Sequence, residues 1–168
     1  IAPIARQLGL GQEFVLPMPS QRYGTVPDSA WKARKYDKAW TQSDTLNATI
    51  GQGYVQTSPL QLAVLAARIA SGNHLDPYLI QGEQKPIRPL PIPPEHLAIG
   101  REGMDLVVNG DGTAVASRLP IPDIRMAGKT GTAQVRKISG AQRGQSGEWK
   151  YKDHGLFVFF APADAPKY

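Results

Sequence analysis

The chain has no cysteine among its 168 residues. That excludes disulfides, thiolate metal sites and a cysteine nucleophile. Long apolar runs are missing as well: the longest near the C-terminal end, LFVFFA, is far short of the roughly 20 residues a membrane-spanning helix needs. Histidine is scarce. His74, His96 and His154 lie far apart with no metal-ligand spacing, so neither a metal nor another cofactor is expected. The opening residues, IAPIARQLGLG, resemble neither a signal peptide nor an anchor. Acidic residues are the minority charge, 14 against 19 lysines and arginines, a formal +5. The basic residues are scattered, with loose groups at Lys32, Arg34, Lys35 and Lys38 and at Lys150 and Lys152. A nucleic-acid surface would show a packed patch or an aromatic–basic interleave, so no nucleic-acid partner is expected.

What is present suffices for one domain with a core. Ile1 to Leu10 reads as the tail of a helix stopped by Leu-Gly-Leu-Gly. Residues 12 to 48, broken by Pro17, Pro19 and Pro27, read as a long irregular segment anchored by Trp31, Tyr36 and Trp40. Ser58, Pro59 and Gln61 then spell a capping box. The helix they open runs to Gly72, apolar nearly all round and so expected to be buried on most sides. HLDPYLI suggests a short edge strand, and KPIRPLPIPPE a polyproline-like connector. Glu95 opens a second helix with Leu97, Met104 and Val108 on one face, where Gly100 and Gly103 would admit a close neighbour. NGDG stops it, and a turn or short helix, TAVASRL, follows. Two strands are expected, GTAQV (131–135) and 154–161, joined by a polar loop 136–153 and paired antiparallel. The second strand lacks alternation and is expected to be buried on both faces. Two strands are marginal alone, which implies further sheet outside the chain. Both ends read as cuts through something larger.

The stretch AGKTGTAQV, Ala127 to Val135, carries the chemistry. A phosphate-gripping loop would need glycine five residues before Gly128; that position is Asp123, whose charge repels phosphate. The alternating tail also favours a strand over the helix such a loop opens. The other reading is a Lys-Thr-Gly strand bordering a nucleophilic serine site. There Gly131 would let a substrate backbone lie close, Lys129 would supply a positive field, the threonines would donate to a carboxylate, and an N–H just past the glycine would meet a developing oxyanion.

Together with KDHGLFVFFAP, IGQGYVQTSPLQLA and PSQRYGTVPDSAWKARKYDKAWTQSDTLNATIGQG, this stretch makes the chain resemble, over nearly its whole length, the transpeptidase domain of class B penicillin-binding proteins of the elongation type. The resemblance implies a mixed α/β fold of the transpeptidase/serine beta-lactamase kind, with an antiparallel sheet flanked by helices. Residues 1–168 would be the C-terminal portion of one such domain, without its N-terminal part and its final strand and helix. By position, Lys129, Thr130 and Gly131 match the third active-site motif. Thr130, Thr132 and Gln134 are the implied substrate contacts, and the Thr132 N–H the second oxyanion donor. Asp153, His154, Gly51 and Gly53 are implied as supports. The implied reaction is acylation of a serine by a D-Ala-D-Ala stem peptide and transfer to a neighbouring amine, with penicillins acylating the same serine. Implied partners are the rest of the domain, peptidoglycan stem peptides, a glycan polymerase and elongation scaffold proteins. The parent would be anchored in the bacterial cytoplasmic membrane with this domain on its outer side.

The departure concerns the nucleophile. Of Ser20, Ser29, Ser43, Ser58, Ser71, Ser117, Ser139 and Ser146, only Ser29 has lysine three residues on, at Lys32. That Ser-x-x-Lys falls within PSQRYGTVPDSAWKARKYDKAW, a segment that in the resembled family follows the nucleophile motif, so the family's own nucleophile is expected outside this chain. Ser71-Gly72-Asn73 spells Ser-x-Asn but sits after the apolar helix and reads as a helix-end turn. The isolated chain is therefore expected to be inactive. The alternative is a non-catalytic module of the same kind that binds wall peptide or a scaffold protein. Asp37 with Asp44, as an acidic pair for glycoside chemistry, and Arg136, Lys137 and Arg143, as contacts for anionic substrate groups, are weaker candidates than surface or loop roles.

Overall fold

A computed structural model describes residues 1–82, 85–135 and 148–168. Its elements in chain order are α1 (Ala2–Gln7), α2 (Ser29–Tyr36), α3 (Gln42–Thr49), α4 (Pro59–Ser71), α5 (Pro94–Asn109), β1 (Ala127–Ala133) and β2 (His154–Phe160), with single 3-10 turns at Val115–Ser117 and Trp149–Tyr151. This is the expected mixed α/β arrangement, an antiparallel sheet with helices packed on it. β1 and β2 pair in the register Ala127 opposite Phe160 through Ala133 opposite His154.

α4 forms where the capping signal predicts. The Ser58 side chain accepts from the Gln61 N–H, the Gln61 side chain accepts from the Ser58 N–H, and Gly72 ends the helix at φ 72°. Its burial is less uniform than its sequence suggests, because two polar residues fill the most enclosed positions. Gln61 also donates to the carbonyls of Gln12 and Tyr23, while Arg68, with no exposed surface, donates to the Gln7 and Leu75 carbonyls and to Asp76. The acceptors in turn satisfy the donors of two side chains that have almost no exposed surface. These two residues clamp the 7–23 and 75–76 segments onto α4.

α5 begins at Pro94, one residue before the expected Glu95, and buries Leu97, Met104 and Val108 as its periodicity predicts. Gly100 approaches Ile69 no closer than ordinary contact, and Gly103 has open space around it, so neither glycine marks a tight crossing. Arg118 donates to the carbonyls of Val108, Asn109 and Gly110, occupying acceptors the helix end leaves open. Asn109 donates to the Met126 carbonyl, fixing the end of α5 to the start of β1. Met104, Ala127 and Phe160 form one core cluster, and Val108, Ala114, Met126 and Ala161 another.

Four expectations need correction. Residues 12–48 are not irregular throughout: α2 is capped by Asp28, which accepts from the Trp31 N–H, and α3 by a Thr41–Asp44 capping box. HLDPYLI forms no strand: the bridge from Asn73 to Pro89 lies just before it, and its one ladder-like bond runs from the His74 N–H to the Arg88 carbonyl. β1 starts at Ala127 and ends at Ala133, so Gln134 and Val135 lie beyond it. β2 is not buried on both faces: Phe160 packs against the helices, but Phe159, which alternation turns the other way, is 48% exposed. Among the described residues, α4 and α5 cover one side of the pair and nothing extends the sheet beyond it. The SGN triplet is a helix-end turn as expected, with the Ser71 hydroxyl donating to the Ala67 carbonyl and accepting from the Asn73 N–H.

Candidate functional site

β1 changes character along its length. Ala127 and Gly128 are buried, Lys129, Gly131 and Thr132 are exposed, and Thr130 and Ala133 lie between. A methyl group on Gly128 would come within 2.8 Å of both the Phe157 ring and the Val158 carbonyl, so packing demands glycine there. Gly131 is different. Among the described residues, a methyl group would meet only the Leu156 Cβ, at an ordinary 3.6 Å. Packing among the described residues does not require glycine at 131.

Side chains alternate along the strand, so Thr130 and Thr132 share one face and Lys129 and Gly131 the other. Main-chain groups alternate too: in an antiparallel ladder a residue turns both its N–H and its C=O either to its partner or outward. The Thr132 carbonyl accepts from Gln52 Nε2 at 3.2 Å, and the Thr130 carbonyl from Lys129 Nζ at 2.7 Å. On this alternation Thr130 and Thr132 are the residues whose main-chain groups face the outer edge of β1. An edge of unpaired N–H and C=O groups is what an extended peptide adds to. The Thr130 hydroxyl also lies 2.7 Å from that of Thr113, a residue that drew no attention in the sequence.

Beyond the end of β1 lies a cleft of about 550 Å³. One wall is Ala133, Gln134 and Val135; the other is α3, through Asp44 and Asn47, and the turn carrying Gly51, Gln52 and Gly53. Both glycines have φ 73°, the left-handed region that favours glycine. Close approach explains only one of them: a methyl group on Gly53 would press on the Asn47 Cβ at 3.1 Å, whereas Gly51 meets nothing. Flanked by these two residues, Gln52 spans the cleft to Thr132. Asp153 reaches from the start of β2 to the Val135 N–H at 3.4 Å, tying down the strand end, while His154 is exposed opposite Ala133.

The far wall is built from charge and aromatic rings. Lys32 Nζ and Asp44 form a 2.5 Å ion pair whose side chains are 7% and 12% exposed. Asp44 also accepts from the Thr41 N–H and hydroxyl. The Lys32 bond first, then those from Thr41, hold its carboxyl down at about 2. It is therefore an ionised structural anchor, which rules it out as an acid in a glycosidic pair; Asp37 is the left-handed cap of α2. Trp31, Tyr36 and Tyr54 cluster edge-on and tilted with ring centroids 5.2–5.6 Å apart, joining α2 to the turn that lines the cleft. Trp40 stays outside this cluster and donates to the Thr45 hydroxyl.

The structure thus brings Thr130, Thr132, Gln134, Gly51, Gly53 and Asp153 around one strand end and cleft, with Lys129 directly before them. Arg136, Lys137 and Arg143 lie outside the described residues. Among the described residues no group of three or more His, Cys, Asp or Glu is placed to hold a metal ion. No described helix is long and apolar enough to cross a membrane.

Comparison with known proteins bears on the whole chain. Residues 2–168 match the family model described as the penicillin-binding protein transpeptidase domain. The peptidoglycan D,D-transpeptidase MrdA of Acinetobacter baumannii is 34% identical over 96% of this chain, which spans 26% of that relative's length. Penicillin-binding protein 2 of Helicobacter pylori, in its complex with MreC, superimposes with a TM-score of 0.84 at 30% identity, covering 98% of this chain and 29% of that one. Penicillin-binding protein 2 of Pseudomonas aeruginosa gives 0.76 at 32% identity, covering 99% of this chain and 36% of that one. The chain belongs to the penicillin-binding protein transpeptidase family and matches its class B, elongation-type members.

Proposed function

We propose that this chain is the C-terminal part of the transpeptidase domain of a peptidoglycan D,D-transpeptidase, and that β1 is one wall of its acyl-transfer cleft. The observation that carries the reading is the outer edge of β1. Lys-Thr-Gly leads onto an edge whose threonines offer hydroxyls on one face and main-chain groups outward, beside a cleft that its own fold leaves open.

In this reading an extended stem peptide lies along that edge, its backbone over Gly131. The serine comes from outside residues 1–168. Its oxygen bonds to the D-Ala carbonyl carbon, the C–N bond to the terminal D-Ala breaks, and the leaving amine takes the serine's proton. The Thr132 N–H faces the oxyanion that forms during attack. An amine from a neighbouring stem then attacks the ester, forms the crosslinking amide and returns a proton to the serine. Lys129 supplies positive potential to the serine hydroxyl and the substrate carboxylate, Thr130 and Thr132 donate to that carboxylate, and Gln134 contacts the substrate beyond the strand end. Asp153, His154, Gly51 and Gly53 shape the surroundings. The partners proposed are the rest of the domain, wall stem peptides, a glycan polymerase and a scaffold protein of the kind named with the Helicobacter relative. A membrane anchor elsewhere in the parent belongs to the same reading.

The test is release of D-Ala from a D-Ala-D-Ala peptide, followed by mass spectrometry. The complete protein is expected to release it and the 168-residue chain alone to release none. Turnover by the chain alone would contradict the reading. So would failure of the complete protein to turn over or to react with penicillin; that result would favour the non-catalytic module.

A further inference from the structure

We infer that Thr113 is a positioning residue that sets the proton of the Thr130 hydroxyl toward the substrate carboxylate; this rests on the function proposed above.

Thr113 is held in place from both sides. Any side chain at Gly112 would overlap the Val107 backbone, so the chain passes tightly over the last turn of α5. Ala114 is 3% exposed, packs in the cluster with Val108 and Met126, and its N–H donates to the Val107 carbonyl at 3.0 Å. Arg118 and Asn109 lock the same helix end to the segment behind it and to the start of β1. Between these fixed points Thr113 is itself exposed, and its Oγ1 sits 2.7 Å from Oγ1 of Thr130. An exposed threonine fixed this firmly, with its hydroxyl against a residue of the Lys-Thr-Gly strand, is a built contact.

The consequence follows from counting protons. Each hydroxyl has one proton and two lone pairs, and one proton lies between the two oxygens. If Thr130 is the donor, its proton is spent on Thr113 and cannot serve a ligand. If Thr113 is the donor, the Thr130 proton is free. A carboxylate over the face shared by Thr130 and Thr132 selects the second state. The chain Thr113 to Thr130 to carboxylate then runs in one direction, each bond polarising the next. The final bond is charge-assisted, where correct orientation counts most. Thr113 touches no substrate and acts through Thr130.

The experiment measures acylation of the complete protein by benzylpenicillin and by its methyl ester, which lacks the anion. Thr113→Val keeps the shape and removes the donor; Thr113→Ser keeps the donor. Thr113→Val is expected to lower the second-order rate constant for benzylpenicillin about two- to five-fold, because the Thr130–carboxylate bond persists and loses its orientation and polarisation. The rate with the ester should be unchanged, so the preference for acid over ester collapses. Thr113→Ser should restore the rate, with urea midpoints equal throughout. An unchanged rate in Thr113→Val, an equal loss with acid and ester, or no rescue by Ser would each overturn the inference while leaving the proposed function intact. A wild-type protein that no penicillin acylates would overturn the function and this inference with it.

Discussion

The two halves of β1 obey different rules. At Ala127–Gly128 the strand is buried, wedged against Phe157 and the Val158 carbonyl, and held by Met104 and Phe160. From Lys129 onward it is largely exposed, its glycine has room for a side chain, and among the described residues its outer main-chain groups are met only by Gln52 and Lys129. The first half is specified by packing, where a single methyl group is felt. The second half is underdetermined by the fold, and its residue choices are legible only as chemistry. The same contrast separates the α5–β1–β2 body, whose clusters are apolar, from the far wall of the cleft, which rests on the Lys32–Asp44 pair, helix caps and clustered rings.

Four substitutions would break or sharpen this contrast, ordered here by expected effect on stability. Gly128→Ala forces a methyl group into the Phe157 ring and should cost about 3 kcal/mol in urea unfolding. If it unfolds at the wild-type midpoint, the packing account of the first half is wrong. Val108→Ala empties a fully buried site in the cluster that supports Thr113 and should cost about 2 kcal/mol. Lys32→Met removes the main partner of Asp44 and acts through pH. A carboxyl depressed to about 2 in the fold, against an ordinary value of about 3.9, contributes stability above pH 4 that is lost as pH falls toward 2. The wild-type urea midpoint should therefore drop between pH 4 and 2, and in Lys32→Met that drop should shrink; equal drops would show that the pair does not carry the wall. Gly131→Ala should leave stability within about 0.5 kcal/mol of wild type. In the complete protein it should nonetheless slow penicillin acylation at least several-fold. A large loss of stability there would erase the distinction from Gly128.

The elements that could be read in advance were those with local signals. α4 announced itself through Ser58, Pro59, Gln61 and Gly72, α5 through the spacing of Leu97, Met104 and Val108, and β1 through a motif whose residue types carry their own chemistry. α2 and α3 were missed although Asp28 and Thr41 with Asp44 are cap signals. Both helices are short and polar, so no apolar period drew attention to them, and the prolines before them suggested a loop. The role of Arg68 has no local signal, because nothing near it in sequence shows that the carbonyls of Gln7 and Leu75 converge on it. The site was half visible. Thr130 and Thr132 could be named from the motif, but Gln52 and Thr113 meet them from 80 and 17 residues away. Those pairings exist only once the helices are packed and the edge of β1 is exposed to the cleft.

The central claim, that β1 is one wall of a serine acyl-transfer site completed by residues outside this chain, is tested most directly by mapping the penicillin adduct. The complete protein, with and without Lys129→Ala, would be treated with a fluorescent penicillin and digested, and the labelled peptide identified by mass spectrometry. The expected result is one adduct on a serine of a Ser-x-x-Lys segment outside residues 1–168, strongly reduced by Lys129→Ala. An adduct on a serine within residues 1–168, labelling indifferent to Lys129, or no serine adduct at all would contradict it.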